Sequence, residues 1–76
     1  MENNERPKVL KGYHTREEIR GYYGVEFYDE DGNNKNHWLC DCQIKYFLNR
    51  KDAVAYIKEV RGWNAIHFTQ TLIKRY

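Results

Sequence analysis

Apolar and polar residues alternate from Tyr22 to Tyr28, with Tyr23, Val25 and Phe27 on one side and Tyr22, Gly24, Glu26 and Tyr28 on the other. A period of two marks a strand with two unlike faces. Residues 29–36 (Asp-Glu-Asp-Gly-Asn-Asn-Lys-Asn) are what a turn asks for. Alternation then resumes over 37–47, with Trp38, Cys40, Cys42, Ile44 and Tyr46 on one face, so the two runs predict a β-hairpin with a longish loop. Residues 49–52 punctuate the chain: Asn49 suits an N-cap, Asp52 the third helical position, and Leu48 a staple onto Ala53. Ala53, Tyr56, Ile57 and Val60 recur at helical spacing, which predicts a helix over 50–61 with Gly62 as its left-handed stop. Residues 64–76 suit either period, and their β-branched and aromatic content favours a return strand in which Ile66, Phe68 and Leu72 share a face.

Upstream, residues 8–13 suit a short edge strand, and Thr15 with Glu18 has the form of a capping box opening one helical turn. Residues 1–7 have nothing to bury and predict a flexible tail, which leaves 8–76 as a single domain. Hairpin, helix and return strand together predict the α+β class: a small two-layer sandwich, an antiparallel sheet of three to four strands with one helix on one face.

The helix should cover the face bearing Tyr23, Val25, Phe27, Trp38, Cys40, Cys42, Ile44, Tyr46, Ile66, Phe68 and Leu72. The opposite face would then stay open and show Tyr22, Tyr28, Lys45, Phe47, His67 and Arg75, among others. Aromatic rings mixed with charge are interface-like, and these six are the candidate partner-binding residues. Ordinary β-propensity also places aromatic residues on solvated strands, and a second copy of the chain or the N-terminal segment could cover part of this face.

Size sharpens that expectation. A chain of 76 residues builds one core, burying about 60–65% of its extended surface, and so thin a margin favours a partner. Aromatic residues make up 16% of the chain, seven of them Tyr, a side chain with an apolar face and a polar tip. The net charge of +2 is unevenly spread. Residues 1–42 carry six Lys and Arg against nine Asp and Glu, while residues 43–76 carry seven against two, so the halves are near −3 and +5. Such polarity steers partners of either sign.

The parts of a catalytic site are missing. There is no Ser, no phosphate-cradling glycine loop and no Walker-type Lys. Cys40 and Cys42, two apart on the expected strand, would hold their Cα atoms about 6.6–7 Å apart, at the edge of disulfide geometry. They are expected to be buried, reduced and metal-free, because His37 would point to the other face and no second ligand pair closes a tetrahedron. The acidic run Asp29-Glu30-Asp31 is spaced unlike an EF-hand loop and reads as a solvated hairpin tip. No enzyme activity and no cofactor are expected. No stretch is apolar enough to span a bilayer, and none resembles a secretory signal, so a cytoplasmic location is expected.

Two functions fit this pattern. One is a small non-catalytic binding protein, an inhibitor or adaptor docking on a larger protein through its open sheet face or hairpin edge. The other is a single-stranded nucleic-acid module that uses Lys45, Arg75 and the other C-terminal cations with Tyr22, Tyr28 and Phe47 as stacking platforms. In size and in its richness in Asn, Lys and Tyr, the chain resembles many phage and mobile-element proteins that act by binding one host machine, a likeness of composition that carries no site.

Overall fold

The computed structural model describes residues 6–76. Its elements are β1 (Val9–Lys11), β2 (Tyr23–Tyr28), β3 (Lys45–Phe47), the helix α1 (Arg50–Asn64) and β4 (Gln70–Arg75). All strand pairs are antiparallel and the sheet order is β1-β3-β2-β4, with α1 laid across one face. This is the two-layer α+β sandwich that the pattern predicts. No helix is long and apolar enough to cross a membrane among the described residues.

The expected stripe of α1 faces the sheet: Ala53, Tyr56 and Val60 are buried and Ile57 packs partly against them. Opposite them lie Val25 and Phe27 of β2, Phe47 of β3 and Phe68, with Leu39 and Ile44 closing the core. Asn49 is the N-cap residue, although its side-chain amide bonds the Asp52 carboxylate (3.3 Å) rather than a backbone N–H. The helix runs past Gly62, which does not adopt a left-handed conformation, and ends at Asn64. Thr15 and Glu18 close the capping box reciprocally: the Thr15 N–H donates to Glu18 Oε1 (2.7 Å) and the Glu18 N–H to Thr15 Oγ1 (3.2 Å).

Residues 37–44 are not the expected strand, and the cause is Asn36. Its side-chain oxygen accepts the Phe27 N–H (2.7 Å) and its amide nitrogen donates to the Val25 carbonyl (2.9 Å), so one side chain takes the ladder bonds a partner strand would have made. The chain then passes through two single-turn 3-10 helices, Asn36–Trp38 and Asp41–Gln43, and rejoins β2 only where Phe47 opposes Tyr23 and Tyr46 opposes Gly24. This detour reverses the expected faces. Phe47 enters the core, Tyr46 lies on the far face, Trp38 is half exposed, and Cys40 and Cys42 are exposed free thiols rather than core residues.

The return strand is corrected in the same way. It begins at Gln70, not Asn64, and its register sets Ile73 opposite Val25 and Thr71 opposite Phe27. Ile73 therefore faces the core, whereas Leu72 (50% exposed) and Ile66 (86% exposed), both expected inside, do not. Of the expected tail, residues 1–5 lie outside the described residues. Arg6 and Pro7 are engaged: the Arg6 guanidinium lies 5.2 Å from the Tyr22 ring centre and the Pro7 carbonyl accepts the Tyr22 hydroxyl (2.8 Å).

One core group is left unpaired. The Tyr56 hydroxyl is buried without a hydrogen-bond partner among the described residues, and burial pushes its ionisation up to about 12. A stranded buried hydroxyl costs about 1–3 kcal/mol, so Tyr56→Phe is expected to leave stability unchanged or raise it by about 1 kcal/mol in urea unfolding. Because the folded-state value lies above the ordinary one near 10, this group leaves stability independent of pH below about 10 and lowers it as the pH climbs toward about 12, where the unfolded chain ionises first. Tyr56→Phe should flatten the alkaline loss of stability.

Candidate functional site

The six expected partner-binding residues do not form one surface. Tyr22 (1% exposed) is sealed beneath Arg6 and Pro7, and Phe47 is buried with its ring 5.4 Å from that of Tyr56. Lys45 and Arg75 lie on the helix side of the sheet, with Lys45 Nζ 5.1 Å from the Tyr56 ring centre and the Arg75 guanidinium 5.4 Å from that of Tyr23. Tyr28 alone sits half-buried on the far face, where its hydroxyl donates to Glu26 Oε1 (2.6 Å). His67 is exposed in the turn after α1.

The far face is largely filled by the chain's own side chains. Gly24 at its centre has no side chain, and Tyr46 and Tyr76 close over it; a Cβ there would meet the Tyr46 ring at 3.2 Å and collide with that of Tyr76. The two rings meet edge to face at 5.9 Å, and His14 packs edge-on against Tyr46 at 6.1 Å. The Tyr76 hydroxyl donates to Glu26 Oε2 (3.4 Å), so Glu26 accepts from two tyrosines. Burial, then the charge of Glu26, pushes Tyr76 up to about 12, and burial likewise raises Tyr46. The hydrogen bond to Glu26 raises Tyr28. Tyr28 and Tyr76, both bonded to Glu26, and the Tyr46 ring make a lid on this face of the sheet.

Apart from Tyr13 (63% exposed), the exposed aromatic side chains lie at the end of the sheet where β2 turns and α1 gives way to β4. Trp38 (52% exposed) stacks on His67 at 4.7 Å, and Lys35 Nζ lies 4.5 Å from the Trp38 ring centre. Beside His67 is Ile66, and one helical turn earlier comes Trp63 (51% exposed). The neighbouring turn is held by its own side chain: Asp29 Oδ1 accepts the N–H groups of Asp31 and Asn33, both at 2.9 Å, and these bonds lower the Asp29 carboxyl below its usual range. Gln70 donates to the Asp29 carbonyl (2.9 Å), tying this turn to the start of β4. Asp29 is also paired with Lys35 (3.6 Å), while Glu30 and Asp31 stay exposed.

Trp38 and Ile66 escape a sequence reading because their strand periodicity assigns them to the core. The available signal is Trp63, an aromatic residue just beyond the expected helix stop. Among the described residues, no three His, Cys, Asp or Glu side chains gather as a metal-binding group. No family model, no curated protein and no solved structure matches this chain, so its function has to be read from its own residues.

Proposed function

We propose that this chain is a non-catalytic binding protein, an inhibitor or adaptor that docks on a larger protein through the Trp38–Ile66 end of the sheet. The supporting observation is that Trp38, Trp63 and Ile66 are each more than half exposed on two segments joined by the stacking of His67 on Trp38. Tryptophan is the residue type most enriched among binding anchors, and Ile66, 86% exposed beside it, buries little apolar area in the isolated domain. Exposed Glu30 and Asp31 in the adjoining turn suit a partner whose apolar groove has a basic rim. The alternative of stacking on single-stranded nucleic acid is weakened by burial: Tyr22 and Phe47 are inaccessible, and Arg50, Lys51, Lys58 and Arg61 lie on the helix.

The test is capture from an extract of the native host, with and without nuclease, using the full chain and point variants. Retained protein should survive nuclease, and Trp38→Ala or Ile66→Lys should cost at least about 2 kcal/mol of affinity while Lys51→Ala costs little. Loss of the catch on nuclease treatment, or indifference to both surface variants, would overturn the proposal.

A further inference from the structure

β4 is a six-residue strand at the edge of the sheet, and its backbone phase is set by bonds already described. Val25 and Phe27 spend their carbonyls, and Phe27 its N–H, on Asn36 and Lys35, on the side of β2 away from β4. In an antiparallel ladder the groups alternate sides, so the bonds between β2 and β4 come from Gly24, Glu26 and Tyr28 with Lys74, Leu72 and Gln70. The Tyr76 N–H donating to the Tyr22 carbonyl (2.9 Å) continues the same phase. Thr71, Ile73 and Arg75 therefore aim their N–H and C=O groups outward, where no strand pairs with them among the described residues. Such an edge is a template for strand addition.

We infer that the occupant is a second copy of this chain, its β4 running antiparallel about a two-fold axis at Leu72. The ends of the edge carry opposite charge: Lys74 and Arg75 at one, and the Asp29-Glu30-Asp31 turn, tied to Gln70, at the other. Antiparallel pairing brings the basic end of each copy to the acidic end of its mate, whereas parallel pairing would set basic on basic. With Leu72 on the axis, Thr71 bonds Ile73 of the second copy, Lys74 comes opposite Gln70 beside the acidic turn, and the two half-exposed Leu72 side chains cover each other. Moving the axis to Lys74 or Arg75 would oppose like charges. The contact is isologous and closes at two copies, yielding one continuous eight-stranded sheet.

This assembly uses the backbone of β4 and does not depend on the docking role of Trp38. Sedimentation equilibrium of the full chain should show a monomer–dimer equilibrium, and the Thr71, Ile73 and Arg75 amides should gain hydrogen-exchange protection as concentration rises. Leu72→Lys, at an exposed site, should keep the circular dichroism of the fold and weaken dimerisation at least about tenfold by setting like charges on the axis. In a Cys40→Ser/Cys42→Ser background, Leu72→Cys should oxidise to a disulfide dimer, because a non-hydrogen-bonded pair brings its Cα atoms to about 4.5 Å, while Lys58→Cys should not. A chain that stays monomeric up to about 1 mM, a weaker limit than any useful self-association, would overturn the inference. So would a dimer indifferent to Leu72→Lys, or edge amides protected only when a different protein is added.

Discussion

Phe27→Ala is expected to destabilise the domain by about 3–5 kcal/mol. The side chain is fully buried (0% exposed) and joins three parts of the chain, with its ring 5.0 Å from Phe68 in the return segment and 6.2 Å from Tyr56 on α1. Truncation removes the apolar contact area and leaves a cavity that a helix on one side and a sheet on the other cannot collapse to fill. A domain of this length holds about 4–11 kcal/mol in total, so the variant should be partly unfolded at 37 °C, and Phe27→Leu, which keeps most of the volume filled, should avoid most of that loss. Ile57→Ala, at a half-buried position on the flank of the helix stripe, should cost visibly less. Urea unfolding of the three variants checks the order; equal losses for Phe27→Ala and Ile57→Ala would mean the helix is seated differently.

Tyr22→Ala is expected to cost about 3 kcal/mol, and Tyr28→Ala less than about 1 kcal/mol, although the two residues share one face of the strand pattern. Tyr22 is 1% exposed, its hydroxyl bonds the Pro7 carbonyl at 2.8 Å, and Arg6 lies against its ring. Tyr28 keeps partial contact with water, and its hydroxyl bonds only Glu26. Tyr22→Phe separates the two contributions, since it removes only a neutral hydrogen bond worth about 1 kcal/mol and keeps the packed ring. Thermal and urea unfolding of this series would show Tyr22 to be a docking residue instead of a core residue if Tyr22→Ala lost no more than Tyr28→Ala.

The contrast between Tyr22 and Tyr28 shows why the binding surface was harder to foresee than the fold. Burial on the sheet's second face depends on which distant segments lie over it, and nothing local to Tyr22 announces Arg6 and Pro7. The same holds at the aromatic end, where Trp38 and His67 are 29 positions apart in the chain and meet only through the fold.

What the sequence determined by itself is local. The alternation at 23–28 makes a strand, the spacing of Ala53, Tyr56 and Val60 turns one helix face to the sheet, Thr15 and Glu18 close their capping box, and the order of these elements yields the two-layer α+β class. Each follows from contacts within a few residues or from one repeating period. Tertiary structure decided the rest. Asn36 satisfies Val25 and Phe27 in place of a strand, and the detour that follows shifts the parity of Phe47 and Tyr46, which exchanges their faces. The helix continues through Gly62 in spite of the roughly 1 kcal/mol that glycine costs a helix, and Phe68 beyond its end returns to the core. A strand's period says which residues share a face; only its pairing partners decide which face is inside.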